Sequence, residues 1–86
     1  MKQIDFSNII VKDIEGNDLT VDISKDLGNA IYYGTRDIAA ADLGRSIYHK
    51  KKVELNDEDV KVVRQYVERD FKAIVKMAVL PMLDDK

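Results

Sequence analysis

The chain has 86 residues, no cysteine and a formal net charge of −2 at pH 7. That length predicts one small α+β domain over 1–86, whose core is marginal and would gain from a partner. The absence of cysteine excludes disulfides and thiol nucleophiles, and it favours a reducing, cytoplasmic location. Because the sequence has no apolar run of about 20 residues and its start lacks a signal peptide's apolar segment, we expect neither membrane insertion nor secretion by that route.

The first predicted feature is a β-hairpin. Residues 8–14 and 19–23 are rich in β-branched side chains, and residues 15–18 between them contain the Gly and Asn that tolerate positive φ. Apolar and polar residues alternate in the second segment, which predicts one buried and one solvated face. Because a lone two-stranded ribbon is marginal in water, this hairpin needs a helix packed against it.

Two helices and a short strand follow in the predicted order. Ser24 is a candidate N-cap, and helical spacing of apolar residues predicts helices over about 25–33 and 36–49. Apolar and charged residues then alternate over 52–55, which predicts a short strand that is a candidate to pair with the hairpin edge.

The last predicted element is a long C-terminal helix over about 57–80. Asn56 is its candidate N-cap, and three acidic residues follow in the positive field of the first turn. Pro81 is expected to end it, since proline lacks a backbone donor and clashes with the preceding turn. The final residues, 84–86, are expected to fray.

This long helix carries more apolar surface than a helix on a small domain needs. A second apolar stripe lies beside its core-facing stripe, and its C-terminal end is apolar on all sides. Either the two shorter helices straddle it, or the second stripe contacts another copy or a protein partner. The candidate contact residues are Tyr66, Ala73, Met77, Leu80, Met82 and Leu83.

The middle of the chain is its basic part. Residues 36–52 carry five basic residues and two acidic ones, whereas the segments on either side are acidic. Arg45, Lys50, Lys51 and Lys52 are therefore candidate nucleic-acid contacts. The alternative is a solvated helix end, because lysines near a helix C-terminus are favoured by the helix dipole.

Signs of catalytic chemistry are missing from the sequence. His49 is the only histidine, the glycines form no phosphate-binding fingerprint, and no serine has a nucleophile signature. We therefore expect no enzyme, no cofactor and no metal site. The interpretation that follows is a protein-interaction or assembly module, most simply a homo-oligomer, with accessory nucleic-acid binding as the alternative.

The order of elements adds a resemblance. A hairpin, the segment 22–32, a second helix ending in Ile47-Tyr48, the strand Val53-Glu54-Leu55 and an acid-capped helix together resemble short proteins encoded in bacterial phages and prophages. This resemblance covers most of the chain and contains no catalytic motif. It implies an accessory viral protein that acts by binding during replication, packaging or assembly, and it assigns no functional residue.

Overall fold

The computed structural model describes residues 2–84 as an α+β structure. Its strands are β1 (Lys2–Asp5), β2 (Ile9–Lys12), β3 (Asp18–Val21) and β4 (Lys52–Leu55). Its helices are α1 (Ser24–Gly34), α2 (Ile38–Lys50), α3 (Asp57–Asp70) and α4 (Ala73–Asp84). The predicted fold class, hairpin, first two helices and 52–55 strand are confirmed, with boundaries that shift by a few residues.

The β2–β3 hairpin presents one apolar face to the core. Ile9 pairs with Val21 and Val11 pairs with Leu19 in antiparallel register, so these four side chains share a face. Ile9 and Val11 are buried there, whereas Leu19 remains half exposed on β3. Gly16 adopts a φ of 92° in the connecting turn, a conformation that glycine reaches without steric cost.

β4 pairs with β1 rather than with the hairpin. The sequence left open whether 52–55 pairs with the hairpin edge, and its interpretation contained no strand at the start of the chain. Ile4 faces Val53 in this antiparallel pair, and both side chains are buried. Phe6, directly after β1, is fully buried as well. Burial of these apolar residues stabilises the pairing of β1 with β4.

α1 and α2 form the most closely packed helix pair. A Cβ atom built on Gly28 would lie 2.7 Å from the Cβ of Tyr48, and one on Gly44 would lie 2.9 Å from the carbonyl oxygen of Gly28. Real Cβ atoms do not approach other atoms this closely. Glycine at these two positions therefore allows the helix backbones to touch.

The helix starts show which local signals the fold uses. Asn56 accepts a hydrogen bond from the backbone N–H of Asp59, whose carboxylate accepts one from the N–H of Asn56, a complete capping box. The expected N-cap role of Ser24 was wrong. Ile23 occupies that position, and the Ser24 hydroxyl instead donates to the carboxylate of Asp22 at 2.6 Å.

The predicted helix over 57–80 is two helices, and the prediction of one long helix was wrong. α3 ends before Phe71, whose extended backbone (φ −110°, ψ 154°) turns the chain, and α4 begins at Ala73. A straight helix over that range would be about 36 Å long and would carry its end away from the small core. The break lets α4 return over β2 and bury Val79 and Leu83.

The return of α4 is fixed near its C-terminal end. Asp84, its last residue, forms an ion pair with Arg64 in the middle of α3, which lowers the pKa of the Asp84 carboxyl.

α4 continues through Pro81, so the expectation that this proline ends the helix was wrong. The carbonyl that loses its donor belongs to Met77, a residue that is 75% exposed. Residues 85 and 86 of the predicted frayed end lie outside the described residues.

Candidate functional site

The exposed side of α4 is apolar, and we call it the α4 stripe. It consists of Ala73, Ile74, Met77, Pro81 and Met82. The charged residues of α4 are Lys76, which is half-buried, and the terminal Asp84, so no charge interrupts the stripe. A surface helix ordinarily has a polar outer face. α4 therefore has the composition of a helix that is covered on both sides.

Not all of the predicted contact residues belong to this surface. Ala73, Met77 and Met82 do. Tyr66 (5% exposed) and Leu83 (4%) are buried within the chain, and Leu80 is half-buried against the core. Tyr66 lies on α3 and packs within the core, whereas Leu83 is directed inward because α4 returns over β2 after the break. Tyr66 and Leu83 are removed from the candidate surface.

An apolar groove continues the α4 stripe across the junction of α3 and α4. Its volume is about 410 Å³, and its apolar lining consists of Val21, Ile23, Ala30, Phe71, Ile74 and Val75. Ile74 belongs to both the groove and the stripe. The polar lining residues are Asp22, Asp26, Asp70 and Lys72, which make the rim acidic on balance. Stripe and groove together form one apolar surface.

A second concave surface lies between α1 and α2, and we call it the tyrosine cleft. It encloses about 270 Å³ above Gly28 and Gly44. Its side-chain walls are Asn29, Tyr32, Tyr33, Arg45, Tyr48 and His49. Because the two glycines have no side chains, the touching helices leave a trough between rows of aromatic and polar groups.

The aromatic rings of the tyrosine cleft are ordered in pairs. Tyr32 and Tyr33 form an edge-to-face pair with centroids 5.1 Å apart on α1. Tyr48 and His49 form a similar pair with centroids 5.0 Å apart on α2. Tyr33 is nevertheless 80% exposed, so most of its ring packs against nothing in the described chain. Tyrosine is enriched at contact sites, where its ring buries apolar area and its hydroxyl finds a polar partner.

The predicted basic patch is only partly brought to this cleft. Arg45 lines the cleft, whereas Lys50, Lys51 and Lys52 are exposed at the adjoining C-terminal end of α2 and the start of β4. Among residues 2–84, no ion pair or side-chain hydrogen bond engages any of these four cations. None of the four is therefore held in an ion pair within the described residues.

Two carboxylates, those of Asp5 and Asp22, lie near Lys52 and Lys51 and reduce the positive electrostatic potential of these lysines. Asp5 and Asp22 each accept hydrogen bonds from the hydroxyl and the backbone N–H of the serine two residues further on. These hydrogen bonds lower the pKa of both carboxyls, and the charges of Lys52 near Asp5 and Lys51 near Asp22 add to the effect. Both carboxylates are thus ionised at neutral pH and offset part of the lysine charge.

Sequence reasoning missed the aromatic part of the cleft. Tyr32 and Tyr33 are consecutive on a helix whose core face already contains Leu27 and Ile31. Because adjacent helical residues point about 100° apart, both tyrosines could not be buried on that face. That conflict was a usable signal of an exposed aromatic pair.

The described residues contain neither a metal site nor a membrane-spanning helix. Over residues 2–84, no group of three or more His, Asp or Glu side chains converges in a way that could hold a metal ion. None of the helices in that range combines the length and the apolar character that crossing a bilayer requires.

Comparison with known proteins identifies no relative of this chain. No protein-family model matches the sequence, and neither a curated protein nor a solved structure is significantly similar to it. Function therefore has to be inferred from the two surfaces themselves.

Proposed function

We propose that this protein is a non-enzymatic interaction module that self-associates through the α4 stripe and the adjoining apolar groove. The observation that carries the proposal is the uncharged outer face of α4, from Ala73 to Met82. A monomer would expose this face to water at a cost of about 25 cal/mol for each Å² of apolar area. A partner that covers the stripe removes that cost.

A second copy of the chain fits the stripe. Met77 lies near its centre, with Ile74 three residues before it and Pro81 four residues after it. In an antiparallel pair of α4 helices around a two-fold axis at Met77, Ile74 of one copy faces Pro81 of the other. Such isologous contacts are the commonest way in which soluble proteins form dimers.

Charges at the two ends of α4 favour the same arrangement. Lys72 directly precedes the helix, and Asp84 is its last residue, still more than half exposed although it pairs with Arg64. Antiparallel pairing brings the cationic end of one copy to the anionic end of the other. The net charge of −2 per chain opposes association only weakly.

Sedimentation equilibrium tests self-association directly. The wild-type chain, loaded at several micromolar concentrations, is expected to show a concentration-dependent mass approaching that of a dimer. Met77→Asp places a charge at the centre of the stripe and is expected to give a monomer. A wild-type chain that remains monomeric at several hundred micromolar would overturn the proposal.

Ile38→Asp is the matched control. Ile38 is 80% exposed and Met77 is 75% exposed, so both substitutions replace an exposed apolar side chain by the same charge. Ile38 begins α2 and belongs to neither the stripe nor the groove, and an acid is favourable at a helix start. The Ile38→Asp variant should therefore associate like the wild type, whereas equal losses from both substitutions would contradict the assigned surface.

The proposed biological setting rests on composition and on the resemblance in element order. A cysteine-free, self-associating module suits the cytoplasm, and the likeness to short phage and prophage proteins suggests an accessory role in replication, packaging or assembly. Purification from a native host, followed by identification of co-purifying chains, tests this setting.

A further inference from the structure

We propose that the tyrosine cleft binds single-stranded nucleic acid, with one base stacked on its tyrosine rings and the adjoining phosphate held by Arg45. This site shares no residue with the α4 stripe or the apolar groove. It is therefore a second activity, independent of self-association.

Aromatic side chains supply the stacking surface. Tyr32, Tyr33 and Tyr48 line one continuous cleft, and Tyr33 is 80% exposed. The edge-to-face contact between Tyr32 and Tyr33 orients their rings before any ligand arrives. Stacking between a base and an aromatic side chain is the main sequence-tolerant interaction of proteins with single strands. A double helix would not satisfy this site, because its bases are already stacked and paired.

Cations supply the phosphate contacts. Arg45 is exposed in the cleft wall without an ion-pair partner among residues 2–84. Its planar guanidinium can donate two parallel hydrogen bonds to a phosphate. Lys50, Lys51 and Lys52 extend the positive charge from the same end of α2, where a strand leaving the cleft would continue.

The size of the cleft limits what it can hold. Sites for drug-sized ligands usually have volumes of about 300 to 1,000 Å³. A volume of about 270 Å³ over a floor of glycines suits one nucleotide and not a large cofactor. Asn29 and His49 add polar groups in the walls that can bond to base edges without selecting one base.

Charge distinguishes this cleft from the apolar groove. The lining of the groove includes three carboxylates and one lysine, whereas the lining of the cleft includes Arg45 and no carboxylate. An anionic strand is therefore repelled from the apolar groove and attracted to the tyrosine cleft. The acidic net charge of the whole chain is thus compatible with a local site for nucleic acid.

Fluorescence anisotropy with a fluorescein-labelled oligothymidylate of about ten nucleotides tests the proposal. At about 50 mM NaCl the wild-type protein is expected to bind it with a micromolar dissociation constant. Tyr33→Leu removes the ring but keeps an apolar side chain, and it should weaken binding about tenfold. Arg45→Gln should weaken binding similarly. It should also make the negative slope of the logarithm of the association constant against the logarithm of salt concentration about 0.7 shallower, as expected for one lost phosphate contact.

Controls separate a specific site from general charge attraction. Arg36→Gln removes an equal charge from a position outside the cleft and should change affinity by less than about twofold. Met77→Asp should bind like the wild type, which keeps failure of this proposal distinct from failure of self-association. Arg36, Tyr33, Arg45 and Met77 are all exposed, so circular dichroism is expected to show the native helix content in every variant.

Competitors identify the source of the ligand. If thymidine monophosphate competes as well as the oligonucleotide, the cleft is a site for free nucleotides and the single-strand proposal is overturned. Equal competition by a duplex of the same length, or by a polyglutamate peptide, would also overturn it. The proposal is also overturned if the oligonucleotide does not bind at protein concentrations up to about 100 μM. Equal losses of affinity from Arg36→Gln and Arg45→Gln would overturn it as well.

Discussion

Gly28 on α1 and Gly44 on α2 meet where the two helices cross. A Cβ built on either residue would lie within 3 Å of the carbonyl oxygen of the other, at 2.8 Å and 2.9 Å. This contact positions the walls of the tyrosine cleft and brings Ile31 and Ile47 into the core beneath it. Each glycine directly follows a buried leucine, Leu27 or Leu43, so this pair determines both the packing of the helices and the shape of the surface above them.

Gly44→Ala is expected to destabilise the fold. Alanine in a helix interior is ordinarily better than glycine by about 1 kcal/mol, but here the new methyl group meets backbone atoms that cannot move independently. Overpacking of this kind costs about 1–3 kcal/mol, so the urea midpoint should fall. Asp42→Ala, on the exposed face of the same helix, should leave the midpoint unchanged or raise it. A Gly44→Ala variant as stable as Asp42→Ala would contradict the close approach.

Loss of the capping box at the start of α3 should be measurable. Asn56→Ala removes the oxygen that accepts from the Asp59 N–H at 2.8 Å, and helix N-caps of this type contribute about 0.5–2 kcal/mol. Asn56→Gly should cost only a few tenths of a kcal/mol, because glycine is tolerated at an N-cap. Urea unfolding followed by circular dichroism gives both values, and a larger loss for glycine than for alanine would argue against a capping role.

Local signals in the sequence predicted the elements that depend on local interactions. The acid-rich start at Asn56, the Gly and Asn of the hairpin turn, and the helical spacing in α1 and α2 all act within a few residues. β1 was missed because its four residues contain a single buried side chain, Ile4, and gain their stability from β4, about 50 positions away.

The break at Phe71 was missed because it, too, depends on contacts between segments that are distant in the sequence. Residues 70–73 contain no glycine or proline, so local propensity favours an uninterrupted helix. What ends α3 there is burial of Val79 and Leu83 against the hairpin and the core, a contact between distant segments. The apolar surface of the C-terminal segment was predicted, but its division into a buried side and the α4 stripe required the direction of α4.

Lys51 is the one non-glycine residue with positive φ within residues 2–84, and it offers a test of backbone strain. Its φ of 67° is favoured for glycine and disfavoured for other residues. Lys51→Gly and Lys51→Ala remove the same charge, but only glycine relieves the strain. The glycine variant should therefore be more stable than the alanine variant by about 1 kcal/mol in urea unfolding. Equal midpoints would show that the backbone relaxes at no cost.

Ser24→Ala should change the acid titration of Asp22. The Ser24 hydroxyl donates to the Asp22 carboxylate at 2.6 Å, which holds the pKa of Asp22 below its usual value of 3.8. Because the folded state favours the ionised carboxylate, this contribution to stability is fully present above pH 3.8 and is lost as the pH falls through the lowered pKa.

Without the hydroxyl, the pKa of Asp22 should rise toward 3.8, although the backbone N–H of residue 24 still donates at 2.9 Å. Carboxyl chemical shifts followed by NMR from pH 2 to pH 6 measure the change. Ser46→Ala, on α2, is the matched control and should leave the Asp22 curve where it is. An unshifted Asp22 curve in Ser24→Ala would refute the assigned cause.

Met77→Cys tests the two-fold geometry proposed for self-association. The chain has no cysteine, so this substitution introduces a single thiol near the centre of the α4 stripe. If the axis passes close to Met77, the two Cβ atoms approach the separation of about 3.5–4.5 Å that a disulfide requires. Mild oxidation at micromolar concentration should then give a covalent dimer on non-reducing gels.

Ile38→Cys is the control, because Ile38 is similarly exposed and lies away from the stripe. This variant should remain largely monomeric under the same conditions, since its thiols meet only by random collision. Equal rates of dimer formation for the two variants would place the axis elsewhere.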